Sequence, residues 1–107
     1  MATASVPIFT VDTNWCISQW NKKAAELTRL PEEEAIGRPL IELLNPAKQE
    51  AARDMIRRVL KGENVNCLET NMAKDEEARK EGHEAVLTLS ASSKRDKGGT
   101  ITGAMFV

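Results

Sequence analysis

Few residues of this 107-residue chain have the chemistry of a catalytic or metal-binding group. It contains one histidine, His83, and two cysteines, Cys16 and Cys67, which lack the short spacing of a metal or redox motif. The sequence contains no Gly-x-Ser-x-Gly motif, phosphate-binding loop or dinucleotide fingerprint. We therefore predict that the chain has no catalytic residues, holds no metal ion and is not an enzyme.

The charged residues also fail to form a reactive or nucleic-acid-binding pattern. Three consecutive glutamates, residues 32–34, would point in different directions from a helix, so they do not converge on one site. Arg53, Arg57 and Arg58 share a helical segment in which carboxylates interrupt the positive charge. Because the formal net charge is only -1, no global field favours nucleic acid or an anionic membrane surface. We expect neither as a partner of this domain.

The elements that would position any site follow from the apolar periodicity. Residues 7–12 and 16–20 alternate as a hairpin, and residues 65–73, 83–92 and 100–107 alternate as three further strands. Between the two groups lie short helical segments and one longer helix over residues 47–61, with Asn21 predicted to cap the first of them. Strands at both ends of a short chain predict an α+β fold, in which one antiparallel sheet of five strands carries the helices on one face.

Three local expectations follow from the same pattern. Residues 74–82 are almost wholly charged and are predicted to form a solvated loop. Cys16 and Cys67 fall within strand patterns, so both are expected to be small buried apolar residues. His83, which follows the charged segment, is expected to be solvated.

Several residues occur in an order and spacing that resembles the PAS domain family. They are Asp12, the pair Trp20-Asn21, and the run Glu34-Ala35-Ile36-Gly37-Arg38-Pro39-Leu40. The pattern is most similar to the PAS modules of plant phytochromes and sensor histidine kinases, and with the long helix and final strands it covers essentially the whole chain. The resemblance implies one PAS domain over residues 1–107, and the ending of the chain inside a predicted strand leads us to expect a longer multidomain signalling protein.

The family resemblance implies a cytoplasmic regulatory module of signal transduction. Such a module would bind a small ligand, pair with a second copy or another PAS domain, or do both, and would relay the change to an attached effector such as a histidine kinase. The alternative is a protein–protein interaction module with a filled core and no ligand.

Comparison with the family pattern also bears on cofactors. The light-sensing subfamily has Gly-Arg-Asn-Cys where this chain has Gly37-Arg38-Pro39-Leu40, so Leu40 stands in place of the flavin-reactive thiol. Haem-binding relatives have a histidine on the long helix, which has none here. We therefore expect neither a covalent flavin adduct nor haem, and the identity of any other cofactor stays open.

One departure concerns the first hairpin. The family often has Asp-Gly in this turn, where glycine tolerates a positive φ, but this chain has Asn14-Trp15. We expect Asn14 to take the strained conformation or the turn to be of another type.

A ligand, if one binds, would lie between the long helix and the sheet, because five strands under a helical cover leave an apolar space there. The candidate lining residues are Trp20, Leu40, Leu44, Met55, Ile56, Val59 and Leu87.

Overall fold

A computed structural model describes residues 6–107 of the chain. Its elements are, in chain order, β1 (Phe9–Asp12), β2 (Ile17–Trp20), α1 (Lys22–Thr28), α2 (Glu32–Ala35), a 3₁₀ helix (Leu40–Leu43), α3 (Pro46–Leu60), β3 (Val65–Met72), α4 (Glu76–Lys80), β4 (Ala85–Arg95) and β5 (Ile101–Phe106).

The five strands form one antiparallel sheet in the order β2-β1-β5-β4-β3. The first and last strands are therefore neighbours within the sheet, where Phe9 of β1 lies opposite Phe106 of β5. Their rings stack with centroids 5.0 Å apart. The predicted α+β arrangement is confirmed.

Helix α3 packs across β3, β4 and β5 and covers the inner face of the sheet. Its buried residues, Ala52, Met55, Ile56 and Val59, follow one another at helical spacing, so a single face of the helix points to the sheet. Asn45 caps its start, since its side chain accepts a hydrogen bond from the Ala47 amide. The core lies between this face and the inward residues of the strands.

The first helix begins as the sequence predicts. The Asn21 side chain accepts hydrogen bonds from the Ala24 amide at 2.9 Å and from the Ile8 amide at 3.0 Å. One amide group thus caps α1 and holds the start of β1 beside the end of β2.

The positive φ in the first hairpin lies on Trp15, so of the two alternatives the one that placed the strain on Asn14 was wrong. Trp15 has φ 67°. Asp12 explains this placement, because one of its carboxylate oxygens accepts hydrogen bonds from the amides of Asn14 and Cys16 and so holds the turn on both sides of Trp15.

The charged segment 74–82 contains helix α4, so the prediction of a solvated loop was wrong. The Asp75 side chain caps the helix by accepting a 2.7 Å hydrogen bond from the Ala78 amide. Ala78 is buried, and it fixes one side of the helix against the protein. Because the segment has only one small apolar residue among its charged residues, its sequence shows no helical periodicity from which α4 could be predicted.

Strand β4 begins at Ala85, two residues later than predicted, and continues to Arg95. Strand β3 contains a bulge between Val65 and Leu68, where Cys67 has φ 59°. The bulge turns Cys67 outward, so the expectation that this residue is buried was wrong. Cys16 is half-buried, which only partly agrees with that expectation.

Candidate functional site

A small cavity of about 10 Å³ lies between α3, the 3₁₀ helix and the inner face of the sheet. The side chains around it are almost all apolar. They are Phe9, Leu40, Leu44, Ala52, Met55, Ile56, Leu68, Thr70, Met72, Leu89 and Phe106.

Four of the seven candidate residues meet at this cavity, namely Leu40, Leu44, Met55 and Ile56. The other three lie elsewhere in the core. Val59 is fully buried one turn further along α3, and Leu87 is on the inner face of β4. Whether any of the seven residues contacts a ligand stays a prediction.

Trp20, the third of these residues, has its own structural role. Its indole Nε1 donates a 2.9 Å hydrogen bond to the Leu30 carbonyl, and its ring packs against Phe9 at 5.2 Å. It also borders an open surface groove of about 300 Å³ with Ile8 and Glu32. Trp20 therefore ties the loop after α1 to the sheet and lies away from the cavity.

The 3₁₀ helix is attached to the edge strand β3, and this attachment closes one end of the cavity. The Ala73 amide donates to the Leu43 carbonyl at 2.9 Å, and the Asn45 amide donates to the Asn71 carbonyl at 2.8 Å. Leu44 lies in a bridge to Met72 between these two bonds. Movement of β3 would therefore move the 3₁₀ helix with it.

Sequence reasoning missed the lining residues contributed by the strands. Leu68, Thr70 and Met72 alternate along β3 and all face inward, so period-two alternation was a signal that could have found them. Thr70 is a polar residue between two apolar inward positions.

A half-buried polar cluster joins α4 to the cavity's outer wall. The Glu84 carboxylate accepts hydrogen bonds from the side-chain amide Nδ2 of Asn45 at 2.9 Å, from Nδ2 of Asn71 at 3.0 Å and from Arg79 Nε at 2.8 Å. Arg79 also donates to the Leu43 carbonyl at 3.1 Å. The cluster thus connects α4 to the C-terminal end of the 3₁₀ helix and to Asn45, which follows it.

These contacts set the charge state of Glu84. The hydrogen bond from Asn45 is the largest influence, and together with Asn71 and Arg79 it lowers the pKa of this carboxyl from its ordinary value of 4.5, although burial acts in the opposite direction. Glu84 is therefore held ionised beside Arg79.

The remaining reactive residues do not gather into a site. His83 is exposed, as predicted, and Glu32, Glu33 and Glu34 are exposed on α2. Within residues 6–107, no three histidine, cysteine or acidic side chains are grouped so that they could hold a metal ion. None of the helices in this part of the chain has the length and apolar character needed to cross a membrane.

The arginines of α3 are engaged with neighbouring groups. Arg53 contacts Glu50 and Gln49, and Arg58 pairs with Glu63 at 3.1 Å. Arg57 lies over the Trp15 ring, 5.9 Å from its centroid. Two of the three arginines are thus paired with carboxylates, and the helix face presents a surface of mixed charge.

A five-stranded antiparallel sheet with its helices on one face and a small apolar gap beneath them is the architecture of the PAS fold. The family model described as the PAS fold matches residues 1–107, and the chain belongs to this family. The resemblance seen in the sequence is confirmed.

Phytochromes are among the curated relatives of this chain. The chain is 39% identical over 105 residues to a phytochrome of Picea abies and 39% identical over 106 residues to phytochrome B of Sorghum bicolor. Each alignment covers 98% of this chain and 9% of the relative, so the chain spans about a tenth of the length of these proteins.

The solved structures that resemble the chain share its fold. The PAS domain of a Colwellia psychrerythraea protein has a TM-score of 0.74 at 22% identity, covering 94% of this chain and 80% of that one. The PAS domain of the histidine kinase ThkA has a TM-score of 0.62 at 24% identity and 92% coverage of both chains. Vibrio cholerae VqmA, in a complex with ligand and DNA, has a TM-score of 0.72 at 23% identity, covering 94% of this chain and 43% of that one.

Proposed function

We propose that this PAS domain is a cytoplasmic sensory module that takes up a small molecule between α3 and the sheet and relays the change to an attached effector. The observation that carries the proposal is the apolar cavity between these two layers. The domain itself would have no catalytic activity, and any kinase activity would belong to other domains of a longer protein.

The size of the cavity links ligand uptake to a change of shape. A volume of about 10 Å³ is roughly that of one water molecule, so a larger molecule must displace side chains. Met55 and Met72 both line the cavity, and methionine adapts to a new neighbour more easily than a branched side chain. Because interiors are close-packed, the displacement would move α3 and the strands that it contacts.

The relatives support a signalling role. Phytochromes and a histidine kinase contain PAS domains similar to this chain, and the VqmA structure was determined with a ligand. VqmA was also in complex with DNA, but the pairing of Arg53 and Arg58 with carboxylates on α3 and the net charge of -1 favour a domain without nucleic-acid contact. The effector would be a separate domain such as a histidine kinase.

The second candidate function is a protein–protein interaction module with a filled core. Two observations favour it. The cavity leaves little of the core empty, and the outer face of the sheet exposes apolar side chains, with Val86 63% exposed and Met105 38% exposed. In that case the domain would act by pairing with a second copy or with another PAS domain.

Native mass spectrometry with an absorbance scan tests the first candidate. We expect the purified protein to carry an additional small mass. Ile56→Phe, which places a larger side chain at the cavity wall, should remove this mass, whereas Val59→Ile, a buried change away from the cavity, should retain it. Denaturant melts would show that both variants fold. A bare protein mass from several expression hosts would contradict ligand uptake and leave the interaction module.

A further inference from the structure

Thr70 differs from the other buried threonines of the described chain. Thr10, Thr28 and Thr70 are each no more than 2% exposed. The Thr10 hydroxyl contacts Ser18 at 2.7 Å, and the Thr28 hydroxyl donates to the Ala24 carbonyl at 2.7 Å. Over residues 6–107, Thr70 Oγ1 is the one buried side-chain oxygen or nitrogen atom without a hydrogen-bond partner. Such a group costs free energy, so it requires an explanation.

The position of Thr70 supplies that explanation. It lies on the inner face of β3 between Leu68 and Met72, and all three residues line the cavity. A water molecule would fit the volume, but a buried water normally makes two to four hydrogen bonds and the lining side chains offer one hydroxyl. A water is therefore a poor partner for this group.

We infer that the Thr70 hydroxyl is the recognition group for a small neutral molecule with an apolar body and a single hydrogen-bonding group. The inference rests on the proposed function, because it assigns the class of ligand that the cavity would take. No lining side chain is charged, so a charged ligand would be buried without a counter-charge. The apolar body would contact Met55 and Phe106, and its polar group would complete the hydrogen bond that Thr70 lacks.

A pair of matched substitutions tests whether the hydroxyl is unpaired. Thr70→Val and Thr28→Val remove the same atom from two buried sites, one without a partner and one with. In ligand-free protein, we expect Thr70→Val to raise the denaturation midpoint and Thr28→Val to lower it. If Thr70→Val lowers the midpoint as Thr28→Val does, the hydroxyl is already paired and the inference is overturned.

Phenol and toluene then test the class of ligand, because they are similar in size and differ in one hydroxyl. Titration of protein labelled at the methionine methyl groups should shift Met55 and Met72 in the cavity and leave the exposed Met105 unchanged. We expect phenol to bind the native chain about three- to tenfold more tightly than toluene, the effect of one hydrogen bond. In Thr70→Val this preference should disappear while toluene binding is retained.

The outcomes separate this inference from the proposed function. If toluene and phenol bind the native chain equally, the cavity takes up ligands but Thr70 does not select them, and only the inference fails. If neither shifts Met55 or Met72, the assigned class of ligand is wrong, while the native mass measurement decides ligand uptake independently.

Discussion

At the scale of single residues, Trp15 is the clearest conflict between side chain and backbone. Its φ of 67° belongs to the left-handed region, which costs a residue with a Cβ roughly 1–2 kcal/mol. The side chain offsets part of this cost, since it packs against the core and lies beneath Arg57. The turn thus depends on a residue whose backbone would be more favourable as glycine.

Comparing Trp15→Gly with Trp15→Ala separates the two effects. Both substitutions remove the indole ring, but only glycine also removes the strain of the left-handed backbone conformation. After allowing for the greater freedom of glycine in the unfolded chain, we expect Trp15→Gly to be more stable than Trp15→Ala by roughly 0.5–1 kcal/mol. Urea melts of the two variants measure the difference. Equal or reversed stabilities would show that the hairpin relaxes when the ring is removed.

At the scale of elements, α4 is held by the polar cluster around Glu84. The charged helix buries only Ala78, so Arg79 and its bonds to Glu84 and Leu43 supply much of its attachment. Hydrogen bonds to charged groups contribute about 1.5–3 kcal/mol each when they are shielded from water, and the Arg79 side chain is 12% exposed.

The lowered pKa of Glu84 makes this attachment dependent on pH. A carboxyl whose pKa is lower in the folded state than in the unfolded state stabilises the fold above its unfolded value. The contribution is therefore present at neutral pH and is lost as the pH falls below about 4.5 and through the folded pKa.

Glu84→Gln is the test of this attachment. We expect the variant to have a lower free energy of unfolding than the native chain at pH 7. The difference between the two free energies should become smaller as the pH is lowered towards 3. Hydrogen exchange should also be faster at the amides of Glu81 and His83, which bond within the α4 segment. Glu81→Gln removes the same charge from an exposed position and serves as the control. A difference in the free energy of unfolding that stays constant with pH would mean that Glu84 contributes through packing alone.

At the scale of the whole molecule, the two faces of the sheet differ in how far they are covered by other elements. The inner face is covered by α3, whereas β4 and β5 expose Val86, Met105 and the adjoining Val107 on the outer face. Lys94 lies near one end of this surface, where its ammonium contacts Gln19 at 3.3 Å. A sheet surface that exposes several apolar side chains is suited to pairing with another domain.

We expect the isolated domain to form a weak dimer through this outer face. In a two-fold dimer the same surface occurs on both copies, so Val86→Lys introduces two positive charges into one interface. It should weaken association by about tenfold or more, whereas Ile36→Lys, at an exposed apolar residue on the loop after α2, should not. Sedimentation velocity over a concentration series measures both. A native chain that stays monomeric at millimolar concentration would contradict self-association.

The sequence by itself determined the order of the elements, because apolar periodicity and capping residues are local properties. The sequence predicted the alternating strands at both ends, the Asn21 cap and the amphipathic α3 in this way. It also predicted four residues that line the cavity beneath α3, namely Leu40, Leu44, Met55 and Ile56.

Only the tertiary structure decided the features that depend on contacts between distant residues. Helix α4 forms because Arg79 and Glu84 meet Leu43 and Asn45, which lie more than 30 residues earlier in the chain. The bulge that exposes Cys67 depends on the register between β3 and β4, and the isolation of the Thr70 hydroxyl depends on all the surfaces around it. Pairing register and hydrogen-bond satisfaction are properties of the assembled fold, so no local pattern of residues specifies them.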